Sequence, residues 1–126
     1  MNLLLEKQNI KAVSVPVDMN TAAITGARIK LDSGDRVAIL CQMGDSTGAV
    51  VEATLKQHTA ASGGSSKNLV VANPYFHKVA AATVFTKVVP NAATAVYDVS
   101  ALFANDEGIL VLEVLGEDLD VDGGYA

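Results

Sequence analysis

Arg36-Val37-Ala38-Ile39-Leu40-Cys41-Gln42-Met43, then Gly44-Asp45-Ser46-Thr47-Gly48, then Ala49-Val50-Val51-Glu52-Ala53-Thr54-Leu55-Lys56-Gln57-His58 follow one another, and the fold turns on how they are read. The first stretch is nearly all apolar, as expected of a central strand covered on both faces. The third alternates. Val51, Ala53, Leu55 and Gln57 share one face, while Val50, Glu52, Thr54, Lys56 and His58 share the other. A strand, a glycine-flanked turn and a second strand make a β-hairpin, so residues 36–43 are expected to pair with residues 49–58.

Upstream, Ala27-Arg28-Ile29-Lys30-Leu31 alternates and predicts a half-buried strand, and Asp32-Ser33-Gly34-Asp35 predicts a turn. Residues 18–26 read as a polar connection. Ile10 to Val17 also alternates, but Pro16 cannot donate to a ladder, which places this segment at an edge or in an extended arm. Met1 to Leu5 carries Leu3, Leu4 and Leu5 and then meets Glu6 and Lys7. That run is too short for a signal-peptide core, no later run is long enough to span a membrane, and the cytoplasm is the expected place of synthesis.

Downstream, Thr59 to Lys67 is rich in Ala, Ser and Gly and reads as a surface loop. Short strands are expected at Leu69 to Val71, Phe76 to Val79, Thr83 to Val89, Thr94 to Val99 and Ile109 to Leu115. Lys78 to Ala82 is open to a helical turn instead. Ser100 to Glu107 suits a short helix, with Ser100 as N-cap and Gly108 ending it. Gly123-Gly124-Tyr125-Ala126 looks like a turn entering another strand, either missing or donated by a partner.

Short strands at regular spacing predict a mainly β, single-domain antiparallel sandwich or barrel of jelly-roll type, with at most short helices. Residues 1–17 form the expected N-terminal arm and 18–126 the β domain. Length and composition agree. A chain of 126 residues buries enough apolar surface to fold alone, and a half-hydrophobic composition with 5% aromatics and no Trp suits β-branched strands.

The formal net charge is −5, and the nine basic residues are scattered, so phosphate neutralisation offers little affinity and nucleic acid is set aside as a partner. Three Tyr and three Phe form no stacking stripe. The single Cys41 excludes an intrachain disulfide and, within an apolar run, reads as a small buried hydrophobe.

Five patterns suggest chemistry. Gly44 to Gly48 matches the G-x-S-x-G elbow, which needs a following helix and an acid before the histidine in chain order. Here a strand is expected next, and His58 and His77 both precede Asp98. Asp118-Leu119-Asp120-Val121-Asp122-Gly123 matches half of a calcium loop without its closing Glu. A solvated acidic turn, with Leu119 and Val121 facing the core, is favoured, and cation binding stays open. His58 and His77 lack partners at ligand spacing and read as surface or edge residues. Ser62 to Lys67 lacks phosphate-loop spacing, and Asp106-Glu107 reads as a solvated turn. No catalytic, cofactor or metal site is assigned, and an enzyme is not expected.

The apolar hairpin around Gly44-Asp45, the run Val51-Glu52-Ala53-Thr54-Leu55-Lys56-Gln57-His58-Thr59-Ala60-Ala61, and Val111-Leu112-Glu113-Val114-Leu115-Gly116-Glu117-Asp118-Leu119-Asp120 before Gly123-Gly124-Tyr125 occur in a distinctive order. In that order they resemble the head decoration, cement or minor head structural proteins of tailed bacteriophages. In those relatives the chain usually continues past the Gly-Gly-Tyr turn. The resemblance implies attachment to the major capsid protein on the capsid exterior, as a homo-oligomer (a trimer or similar), and contributes no catalytic residues. The leucines near the start have no evident use in an isolated domain, so the capsid-binding arm is expected to act through Leu3, Leu4, Leu5, Ile10, Val13, Val15 and Val17. A head–tail connector or tail protein, and a small-ligand or carbohydrate-binding sandwich, are the alternatives.

Overall fold

Leu110, Leu112 and Val114 alternate with half-buried residues along one strand and are each at most 2% exposed, so this strand centres the core. The structure is a computed structural model that describes residues 11, 12, 14, 23–44, 51–103 and 107–126. In chain order its strands are β1 (Arg36–Met43), β2 (Glu52–Thr54), β3 (Lys56–His58), β4 (Ser66–Asn68), β5 (Tyr75–Val79), β6 (Thr86–Val88), β7 (Val96–Asp98) and β8 (Gly108–Leu115). One 3-10 turn, Gly116–Asp118, follows β8, and among the described residues it is the sole helical element. The protein is mainly β, and every strand pairing is antiparallel.

The largest sheet has the order β1-β8-β5-β6, and β2-β7 and β3-β4 form two smaller ones. Side chains of both parts meet in one core: Val51, Leu55 and Tyr97 from the small sheets pack with Leu110, Leu112 and Val114 from the large one. The arrangement is sandwich-like, and its sheets do not close into a barrel.

The expected hairpin does not form. β1 pairs along its whole length with β8, from Arg36 opposite Leu115 to Met43 opposite Gly108. Two adjacent apolar runs carry a local turn signal, but pairing is decided by which partner completes the buried face. β8 sets Gly108, Leu110, Leu112 and Val114 opposite Met43, Cys41, Ile39 and Val37. Nor is β1 central. Among the described residues it ends the sheet, and Leu40 on its outer face is 68% exposed.

The alternation over 51–58 is borne out: Val51, Leu55 and Gln57 are buried, and Glu52, Thr54 and Lys56 are exposed. One extended run serves two partners, β7 along its first half and β4 along its second. Leu55 marks the change, donating its N–H to Ala95 O (2.8 Å) and accepting from Leu69 N (3.0 Å). Beyond that point the two partners bond to each other through Val71 and Thr94. The Ser/Gly-rich loop is exposed as expected, and it is the connection of the β3-β4 hairpin.

Two further expectations fail. Residues 27–31 form no strand: Arg28 and Lys30 are exposed, Ile29 is 41% exposed, and of this segment Leu31 packs against the core. Arg28 instead reaches across to Ala60 O (2.7 Å) and Gly63 O (2.6 Å). Alternation describes two faces and cannot supply a neighbouring strand. Ser100 to Phe103 is a turn, closed by Leu102 N and Phe103 N donating to Val99 O, so Ser100 caps no helix there. Its hydroxyl accepts from Val51 N (2.7 Å) and pins the start of the 51–58 run. Residues 104–106 lie outside the described residues, and Gly108 begins β8 rather than ending a helix.

The Asp32 to Asp35 turn forms as expected, with Asp35 N donating to Asp32 O (3.0 Å) and Gly34 at φ 86°. Lys78 to Ala82 takes the strand option up to Val79 and then a turn. Phe103 is fully buried, and a Cβ on Gly108 would run into its ring. Glycine is therefore required at the start of β8 for a packing reason.

Truncating Phe103 removes the largest fully buried side chain. Phe103→Ala should cost about 3–5 kcal/mol, whereas Leu40→Ala on the exposed face should stay within about 0.5 kcal/mol. Urea unfolding midpoints of the two variants, compared with the parent chain, check this ordering.

Candidate functional site

The residues expected to anchor the chain, Leu3, Leu4, Leu5, Ile10, Val13, Val15 and Val17, lie outside the described residues. The described surface offers a different feature, the outer face of the four-stranded sheet. Residues directly opposite in an antiparallel pair share a face, so Leu40, Val111, Phe76 and Lys87 form one row across β1, β8, β5 and β6. Gln42, Ile109 and Lys78 form the next row. Leu40 and Phe85 are exposed, while Val111, Phe76 and Ile109 are half-buried.

Charges sit around this apolar strip. Arg36 pairs with Glu113 at 3.8 Å, and the Lys78 ammonium lies 6.0 Å from the centre of the Phe85 ring. A contiguous apolar strip with a polar rim is the usual form of a protein-binding surface. A shallow depression of about 120 Å³ at one end, lined in part by Gln42, Lys78 and Ile109, is below the size of small-molecule pockets.

The free edge of β1 adjoins this strip. Gly116 N donates to Asp35 O (2.9 Å), which sets the phase of the ladder. Val37, Ile39, Cys41 and Met43 therefore spend their backbone groups on β8, and Arg36, Ala38, Leu40 and Gln42 present N–H and C=O outward. Among the described residues no strand pairs with that edge.

The acidic stretch Asp118 to Gly123, which resembles half of a calcium loop, has a structural use. Asp118 accepts from Asn73 Nδ2 (2.6 Å) and Leu115 N (2.8 Å), which closes the turn after β8. Asp120 accepts from Lys67 Nζ and from Gly123 N (3.0 Å), while its own N–H donates to the buried Gln57 Oε1 (2.9 Å). Lys67 also lies 4.3 Å from the centre of the Tyr125 ring, and Ala126 N donates to His58 O (3.2 Å). The acidic segment thus latches the turn at 119–126 onto β3 and β4. Leu119 packs against the core as expected, but Val121 is 65% exposed and does not. Among the described residues no three His, Cys, Asp or Glu side chains gather where a metal ion would need them.

His77 is half-buried in β5, an inner strand of the large sheet, whereas His58 is half-buried on β3, an edge strand of the two-stranded β3-β4 sheet, with its Nδ1 enclosed and, among the described residues, without a hydrogen-bond partner. Desolvation, then the nearby Arg28 and Lys56 charges, pushes the His58 pKa down. Cys41 is half-buried on the inward side of β1, and burial pushes its thiol pKa up, away from the reactive thiolate. The Ser46 region, residues 45–50, is outside the described residues.

No protein-family model, curated protein or solved structure matches the chain.

The shifted groups predict a two-step pH profile. Folded His58 holds its proton less tightly than the unfolded chain does, so stability falls as pH drops through about 6.5 and levels off below the folded value. Bonds from Lys67 to Asp120 and from Ser100 to Asp98 lower both carboxyl pKa values. Their contribution is present above the ordinary carboxylate pKa and is lost as pH falls through the folded one. His58→Gln should remove the first step and keep the second, read from urea midpoints between pH 8 and 3.

Proposed function

We propose that this chain is a structural protein of a tailed-phage virion that binds and stabilises the outer surface of the capsid. The observation that carries the reading is the apolar strip on the outer face of the β1-β8-β5-β6 sheet, where exposed Leu40 adjoins half-buried Val111 and Phe76. A strip of this kind gains free energy when a partner surface removes it from water, at about 25 cal/mol per Å² of apolar area. The resemblance to decoration and cement proteins names the partner class, the major capsid protein, and the chain is free of any need for a cofactor in this role.

Stabilisation follows from linkage. A protein that binds the assembled shell and not its separated subunits shifts the equilibrium towards the shell by its binding free energy. In this reading the arm, residues 1–17, adds a second attachment through Leu3, Leu4, Leu5, Ile10, Val13, Val15 and Val17. Two weak attachments on one molecule reinforce each other, because the second forms at high effective concentration.

The test is to mix the purified protein with expanded, undecorated capsids and image the particles by electron cryomicroscopy. Regular added density on the outer shell is expected. Density confined to a portal vertex or tail would instead identify a connector or tail component, and bare particles would remove the virion reading. Leu40→Glu and removal of residues 1–17 should each weaken shell binding by at least tenfold, about 1.4 kcal/mol, with an unchanged far-ultraviolet circular dichroism spectrum.

A further inference from the structure

β1 is eight residues long and, among the described residues, ends the largest sheet, with Arg36, Ala38, Leu40 and Gln42 directing their backbone N–H and C=O groups away from β8. Edge strands of monomeric proteins are usually blunted by proline, lysine, a bulge or shortness. β1 has none of these. Its pairing with β8 is unbroken over all eight residues, and Arg36 at one end is its single charge.

The inward side carries a second sign of incompleteness. Val37, Ile39 and Cys41 point towards the core yet stay half-buried, whereas Leu110, Leu112 and Val114 opposite them are at most 2% exposed. Among the described residues β8 is flanked by β1 along its whole length and by β5 over residues 108–111, whereas β1 has β8 alone as a strand neighbour.

We propose that β1 is a self-association edge. Two copies of this chain pair antiparallel along Arg36–Met43 about a two-fold axis at Ile39, joining their large sheets into one continuous sheet. The occupant is a second copy because the strand is complementary to itself. With Ile39 on the axis, Arg36 lies opposite Gln42 of the second copy, and Ala38 lies opposite its Leu40. All four outward-directed residues then find backbone partners. The one charge meets a neutral amide, already balanced by Glu113 of its own chain at 3.8 Å. A large side chain meets a small one, so the outer faces interlock. On the inner face Val37 lies opposite Cys41 of the second copy, covering the residues left half-exposed. A register that placed Arg36 opposite Arg36 would set like charges together and leave most of the edge unpaired.

The contact is isologous and closes as a dimer, in contrast to the trimer or similar assembly that the resemblance to decoration proteins implies. It also makes the apolar strips of the two copies continuous, because Leu40 lies next to the joining edge. The inference stands without the capsid reading, and its test needs no capsid.

The experiment is sedimentation equilibrium of the full chain from micromolar to millimolar concentration, with residue-resolved amide exchange at both extremes. A monomer–dimer equilibrium is expected. Amides of Arg36, Ala38, Leu40 and Gln42 should be protected in the concentrated sample and exchange at least tenfold faster on dilution, while those of Val37, Ile39 and Cys41 stay protected in both. Ala38→Pro removes an N–H that β8 does not use, so it should give a monomer with protected Val37, Ile39 and Cys41 amides. Leu40→Lys offers the same outcome without a backbone change. A monomer at all concentrations, a trimer, or a dimer whose four outward amides exchange freely would each overturn the proposal. So would protection of those amides in a monomer, since the edge would then be covered by its own chain.

Discussion

Leu110, Leu112 and Val114 point from β8 into a core closed by Phe103, and burying that row ties the two parts of the domain together. Each side chain of this kind contributes about 1.5–3 kcal/mol when fully buried. The row cannot be covered by one neighbour. β1 flanks β8 on one side and β5 on the other, while Val51, Leu55 and Tyr97 arrive from the small sheets to cover the inner face. Gly108 allows the Phe103 ring to lie against the start of the strand. Most of the remaining architecture can be understood as what is needed to bring those neighbours to β8.

The 51–58 run is the clearest instance. Its inward row, Val51, Leu55 and Gln57, stays in phase although its hydrogen-bond partner changes at Leu55. Side-chain phase is a property of the strand itself, while partner choice depends on what lies beside it. Gln57 is the buried polar member of that row, and it accepts from the Asp120 amide at 2.9 Å. The 119–126 turn is thereby fixed to β3 through one buried bond, with Lys67, Asp120 and Tyr125 grouped outside it. Acidic residues that resemble a cation loop in one dimension serve as acceptors for backbone and lysine in three.

Away from the core, the large sheet is two-sided in character. Its inner face is buried along β8 and half-buried along most of β1 and β5, and its outer face combines exposed Leu40 with half-buried Val111, Phe76 and Ile109. Apolar side chains in such a row lose nothing by meeting another protein surface and gain from losing water. The adjoining edge of β1, unpaired among the described residues, extends the same area.

The alternation of 51–58, the Asp32–Asp35 turn, the exposed Ser/Gly loop and the mainly β character were legible in the sequence, because each depends on neighbours within a few residues. Leu119 as a core contact was legible for the same reason. The partner of β1 was not. Its apolar run is equally compatible with a central strand and with an edge strand that leaves Leu40 in water, and the choice was made by β8, some seventy residues away. No strand forms at 27–31, and residues 100–103 make a turn rather than the start of a helix: local pattern was present, but Arg28 and Ser100 hydrogen-bond to distant segments. The outer-face row of Leu40, Val111 and Phe76 is composed from three strands and exists in no single stretch of chain. By itself, then, the sequence determined the faces of its strands and the sites of its turns, since backbone geometry and side-chain polarity act locally. Tertiary structure decided which strands became neighbours, because a buried row is completed by whichever segment fits it, however far away along the chain.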